Sequence, residues 1–170
     1  MRVDALMSTD LATVRPDTDL RVAIGELRSH DCGFLPVVEG GGRVVGVLTD
    51  RDVALALGTD VRPSELVVSD VMTRDPHACR VDESAHQALG RMRDARVRRL
   101  PVVNDAGHLA GAISIDDLVL VAQNVRAGAD RVSFEQVMEA VEALAERSSK
   151  TNPVWSSAPL SVLRALRRST

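Results

Sequence analysis

The chain has 170 residues, 45% of them hydrophobic, enough for one sizeable core or two small lobes. A net charge of −3, a pI near 5.8 and 2% aromatic residues argue against a nucleic-acid or anionic-membrane surface, and against a base-stacking platform for single strands. Two cysteines make no disulfide framework, no apolar run approaches the roughly 20 residues of a membrane helix, and no signal peptide is evident, so a soluble cytoplasmic chain with reduced thiols is expected.

In chain order, a short extended piece, Ala12 to Arg15, precedes a helix predicted over about Asp19 to His30. Its Leu20, Ala23, Ile24 and Leu27 fall on one face. Two apolar runs, FLPVV and VVGVLT, follow, joined by EGGGR, and glycine between β-branched runs predicts a hairpin. Pro36 sits near a strand start, where a missing N–H is tolerated. A helix over Asp50 to Leu57 closes the pattern, and Thr59 to Ser69 reads as a connector. The pattern then recurs. An extended piece, Ala78 to Val81, leads into a helix of about Ser84 to Arg96 with Ala85, Ala88, Leu89 and Met92 on one face. LPVV-NDAGH-LAGAIS gives a second hairpin, and Ile115 to Asn124 a second closing helix. Beyond these, Ser133 with Gln136 is a capping-box signature that opens a helix through about Arg147, with Val137, Ala140, Val141 and Leu144 as its apolar face. SSKTNP reads as a loop, and Pro159 to Arg168 as one more short basic helix.

A shift of 65 positions superposes the two halves without a gap. It pairs Met7 with Met72, Asp17 with Asp82, Gly25 with Gly90, LPVV with LPVV, Gly46 with Gly111 and Asp52 with Asp117. Each copy is β-α-β-β-α. A three-stranded sheet with two helices buries one face only, so the two copies are expected to pack together about a pseudo-twofold axis in an α+β fold. The expected domains are residues 1–60, residues 61–125 and a C-terminal helical extension of 126–170.

GVLTDRD and GAISIDD each end an apolar run in a hydroxyl and place an aspartate three positions on. A hydroxyl between strand and helix is an expected N-cap, which makes Asp52 and Asp117 the third residue of a capping box. That box prefers Glu or Gln, because aspartate reaches back poorly. The functional reading uses the same atoms: free N–H groups at the helix start attract an anion, and a carboxylate can accept from both hydroxyls of a ribose. Gly46 and Gly111 would keep the backbone clear for a flat base.

The repeated unit resembles a cystathionine-β-synthase (CBS) domain, and two in tandem resemble a Bateman module. The resemblance rests on the DALM and SDVM openings, Leu-Pro-Val-Val before the hairpin and G-x-x-[ST]-x-x-D at the last strand, and covers about 120 residues. It implies a regulatory module that binds an adenosine ligand such as AMP, ATP or S-adenosylmethionine, with no cofactor required. Carried over, Thr49 and Asp52 form one site and Ser114 and Asp117 the other. The resemblance also implies phosphate contacts from Arg98 and Arg99, reaching toward Thr49 and Asp52, and an adenine lying near Thr13 or Ala78. Gly33 and Phe34, at the positions equivalent to the two arginines, carry no charge. The family further implies a homodimer; an unidentified protein is the expected downstream partner, and the composition points to neither nucleic acid nor membrane. The alternative is a ligand-free structural or stress-associated homodimer in which the hydroxyl–aspartate pairs are caps alone.

His30-Asp31-Cys32 and His77-Ala78-Cys79 suggest zinc, but the two are not equivalent under the 65-residue shift, and Cys79 aligns with Val14. No metal site is expected. Without a nucleophile elbow, a P-loop or a Ser/His/Asp set, no enzyme is expected either.

Overall fold

Asp19 starts the first long helix, its carboxylate accepting from the Arg21 amide at 2.8 Å, and Leu20, Ala23 and Leu27 turn the inner face of α1 (Leu20–Ser29) into the core. In the computed structural model, which describes residues 1–58, 61–123 and 132–149, this helix belongs to a unit built from residues 12–58 and 61–76. Its sheet holds β1 (Phe34–Glu39) and β2 (Arg43–Thr49), antiparallel, with Gly42 at φ +87 in the turn between them. A left-handed residue there explains the glycine. Next come α2 (Asp50–Leu57), the single-turn α3 (Val68–Val71) and β3 (Thr73–Arg74), which pairs antiparallel with β2. The connector is therefore part of the packing. Leu66, Val68 and Val71 are buried, and the Leu66 carbonyl accepts from the Leu20 amide at 2.9 Å.

The other unit contains residues 1–11 together with the described residues from 77 onward. It is formed by β4 (Cys79–Arg80), α4 (Ala85–Ala95), β5 (Arg99–Val103), β6 (Leu109–Ser114), α5 (Ile115–Gln123) and α6 (Phe134–Ser149). Strands β5 and β6 repeat the β1/β2 hairpin, with register shifts at Val37/Val38 and Val102/Val103 and a positive φ at Gly107 matching Gly42. The tail helix forms where the capping box places it. The Ser133 amide donates to Gln136 Oε1 at 2.9 Å, and Val137, Ala140 and Leu144 join the core. Pro159 to Arg168 lies outside the described residues, as does most of SSKTNP.

The leading extended piece differs between the copies. Ala78 to Val81 yields β4, parallel to β5, and Val81 donates to the Val103 carbonyl at 3.2 Å. Pro16, the equivalent of Val81, has no N–H to give. Pairing in the first copy therefore stops at Val14, which bridges Val37.

The two units interleave along the chain. Thr73–Arg74, at the head of the second repeat, completes the first sheet, while Ser8, its equivalent at the head of the first, pairs with Ala112 of β6 in both directions at 2.9 Å. Val3 and Val68, equivalent and fully buried, anchor these segments. Among the described residues no helix is long and apolar enough to cross a membrane.

Candidate functional site

Thr49 ends β2 in extended geometry and caps α2. Its Oγ1 accepts from the Asp52 amide at 3.2 Å and donates to Asp52 Oδ2 at 2.6 Å, and the Thr49 amide reaches the same oxygen at 2.9 Å. Ser114 and Asp117 reproduce this at the start of α5, with the corresponding distances 3.2, 2.6 and 2.7 Å. The expectation that aspartate reaches back poorly does not hold. A side chain one methylene short of glutamate reaches the cap amide, and at these two corners the hydroxyl donates to the same carboxylate oxygen. Asp70 does the same for the Val67 amide at 2.9 Å with no hydroxyl at the cap, so this bond is a local property of helix starts in this chain.

Both corners are half-buried rather than sealed. In each, Oδ2 carries the box, and among the described residues Oδ1 of Asp52 and of Asp117 takes no hydrogen bond. Burial pushes the Asp52 carboxyl above its ordinary value, and the bonds from Thr49 only partly offset this.

The space above the two glycines is taken. A Cβ on Gly46 would lie 2.6 Å from Met72 Sδ and 3.0 Å from the Thr73 carbonyl oxygen. One on Gly111 would lie 2.7 Å from Met7 Sδ and 2.7 Å from the Ser8 carbonyl oxygen. The glycines admit a crossing strand and its methionine, not a flat base as the sequence reading has it. Met7 and Met72, paired by the 65-residue shift, are the signal in the sequence for this contact.

Thr13, Thr49 and Asp52 fall in one unit, and Ala78, Arg98, Arg99, Ser114 and Asp117 in the other. Thr13 is exposed on the residue before Val14, along the edge of β1 opposite to β2. Ala78 is half-buried just before β4. Arg98 and Arg99 are both exposed. Arg99 stands opposite Ser114 in the β5/β6 register, and the Arg98 carbonyl accepts from the Ile115 amide at 2.9 Å. In the first copy Phe34 faces Thr49, and the Gly33 carbonyl accepts from the Asp50 amide at 3.3 Å. The residues before each Pro-Val strand therefore brace the capped corner of their own sheet, one with charge and one without.

The cysteines occupy core positions. Cys79 is fully buried in the place of Val14, and its thiol is pushed up to about 12, chiefly by burial. Cys32 packs against the first core, and its amide donates to Leu27 at 3.0 Å as that of Val97 does to Met92 at 2.9 Å. Each cysteine thus stands where the other repeat has valine. Among the described residues no three His, Cys, Asp or Glu side chains gather as metal ligands.

A family model for the CBS domain matches the chain twice, over residues 3–59 and 68–124. The CBS domain-containing protein YhcV of Bacillus subtilis is 35% identical over 114 residues, 67% of this chain and 80% of that protein. Inosine-5'-monophosphate dehydrogenase of Methanocaldococcus jannaschii is 32% identical over 130 residues, 76% of this chain and 25% of the enzyme. The chain spans only about a quarter of the length of such dehydrogenases. Among solved structures, CBSX2 of Arabidopsis thaliana in complex with AMP is 27% identical with a TM-score of 0.65, covering 72% of this chain and 96% of that one.

Proposed function

The chain belongs to the CBS-domain family, and we propose that it is a non-catalytic regulatory module that binds an adenosine-containing ligand and transmits occupancy through conformation. The observation that carries this reading is Oδ1 of Asp52 and of Asp117, which the capping box leaves free and which no other described residue engages. Each is held beside a hydroxyl cap at a half-exposed helix start. One such oxygen can accept from a ribose diol without opening the box, and the helix start favours an anion nearby. Arg98 and Arg99 are assigned to ligand phosphates, which guanidinium groups match in geometry, and Thr13 and Ala78 to the edges of the adenine. AMP, ATP and S-adenosylmethionine are the candidate ligands, and the AMP complex of CBSX2 supports the class. A homodimer acting on an unidentified protein partner completes the proposal, with occupancy working through differential affinity for two arrangements.

Titration calorimetry with the three ligands tests it. At least one is expected to bind. Asp52→Asn keeps a carbonyl for the box but replaces the unengaged oxygen with a donor, and is expected to weaken binding roughly tenfold, the loss of one charge-assisted bond. Arg98→Ala with Arg99→Ala should lower the preference for AMP over adenosine. Because burial makes Asp52 hold its proton more tightly than an ordinary aspartate, binding there should fade on acidification at a higher pH than an unperturbed aspartate would give. Affinity unchanged in both Asp52→Asn and Asp117→Asn removes the clamp from the explanation.

One observation favours a second reading, a structural homodimer without ligand: both boxes are complete as caps, and Asp70 closes a similar bond where no clamp is suspected. Native mass spectrometry of the purified protein separates the two readings, since retained nucleotide mass supports the first.

A further inference from the structure

Helices α4 and α6 pack together in the second-repeat unit, and each starts at a capping box whose third residue is glutamine. Gln87 Oε1 accepts from the Ser84 amide and hydroxyl at 2.9 and 3.0 Å, and Gln136 Oε1 accepts from the Ser133 amide at 2.9 Å. The boxes therefore commit both side-chain carbonyls and fix which end of each amide is oxygen. Each Nε2 is left with its protons to give, and neither has a partner among the described residues.

Both glutamines line one cleft of about 240 Å³ between the two helices. Buried Leu89 and Ala140 belong to its lining, and Gly90 keeps it open, since a Cβ there would meet nothing within 4 Å. Exposed Arg93 comes to the cleft from α4 and exposed Glu139 from α6. Arg93 bonds through Nε to its neighbour Asp94, which leaves its terminal nitrogens for another acceptor. Glu139 takes part in no ion pair or hydrogen bond among the described residues.

Two amides and a guanidinium can donate here, and one carboxylate can accept. That set is the complement of a ligand carrying a carboxylate and an ammonium group. A planar guanidinium and planar amides match a planar carboxylate, while Glu139 in the same cleft opposes a phosphate dianion. The volume falls below the roughly 300–1,000 Å³ of pockets for drug-sized ligands, so the occupant is small. The 65-residue shift places Val22 where Gln87 stands, so the first repeat lacks this donor set.

We propose that the α4/α6 cleft binds a small α-amino acid, its carboxylate held by Gln87, Gln136 and Arg93 and its ammonium by Glu139. Such a ligand bridges the two helices, so its binding favours the docked form of α6. The site is separate from the capped corners and does not depend on the adenosine reading.

Nitrogen-15 NMR titration of the full chain with glycine, L-alanine and L-serine tests it, because the recognised groups are those all three share. Acetate and methylamine serve as the two halves of the ligand, and inorganic phosphate as a competing anion. At least one amino acid is expected to shift the amides of residues 86–93 and 136–140. It should bind about tenfold or more tightly than acetate, methylamine or phosphate, the worth of one charge-assisted bond. Arg93→Ala and Glu139→Gln should each weaken it by a similar factor, and bound ligand should slow amide exchange in α6. Gly90→Leu fills the cleft and replaces a poor helix former with a good one, so it should abolish the shifts without lowering the melting midpoint. If that variant melts early, Arg93→Ala and Glu139→Gln, at exposed positions, decide in its place. No shift from any of the three at about 100 mM, where even a millimolar site is saturated, overturns the proposal. Acetate or phosphate binding as tightly as the amino acids means a plain anion site and overturns it too. Shifts that survive a folded Gly90→Leu, or both charge variants, place the ligand elsewhere and overturn the site.

Discussion

Gly46 and Gly111 show how one residue can belong to a motif for a reason the motif does not display. Both sit one strand away from a methionine that crosses the sheet, and any side chain would collide with it. At Gly111 the closest obstacles include the Ser8 carbonyl oxygen at 2.7 Å, which is backbone and cannot swing aside. At Gly46 the backbone obstacle is at 3.0 Å and the nearer one is a methionine side chain. Gly111→Ala should therefore cost more stability than Gly46→Ala, about 2–3 against about 1 kcal/mol, as overpacking does in cores. Urea denaturation of the two variants compares them, and equal losses would mean that the side chains, not the carbonyl, set the cost. The capped corners were legible as hydroxyl–aspartate pairs. How the oxygens divide, with the whole box on Oδ2 and none of it on Oδ1, was not, because it depends on side-chain rotamers.

At the scale of elements, the helices form where spacing and caps direct them, and α6 begins at its Ser133–Gln136 box. Pairing between elements was less legible. Glu83, nearly buried ahead of α4, accepts from Nε and Nη2 of Arg91 at 3.0 and 2.7 Å and ties the loop to its helix. The first repeat has Thr18 and Glu26 at these positions, so the repeat comparison hides the pair. Arg91→Ala strands a buried carboxylate. The expected loss is about 2 kcal/mol, less than the 3–5 of fully buried pairs because Arg91 is half exposed. A thermal melt shows it as a lowered midpoint, and an unchanged midpoint would mean that water replaces the arginine without penalty.

For the whole molecule, the consequence of interleaving is that the amino-terminal residues support the second repeat. Val3 donates to the Glu83 carbonyl at 2.8 Å, the Met1 carbonyl accepts from Ala85 at 2.9 Å, and Ser8 pairs with Ala112. Removing residues 1–8 should speed amide exchange at Ala112 and through β6 while β1 and β2 keep their protection, since exchange follows local opening. Exchange that quickens instead in the first-repeat sheet would contradict the interleaved arrangement.

Local chemistry alone was enough for the sequence to determine two copies of one unit, their helices and hairpins, the capped corners and the tail helix. Each of these depends on neighbours a few residues apart: apolar spacing, a hydroxyl before a helix, glycine in a turn. Tertiary structure decided which sheet each leading strand joins, because backbone hydrogen bonds do not read side chains. Met7-Ser8 and Met72-Thr73 are near-identical labels for two near-identical glycine-bearing strands. Only packing at long range assigns one pair to β6 and the other to β2, and through that choice fills the space above the glycines.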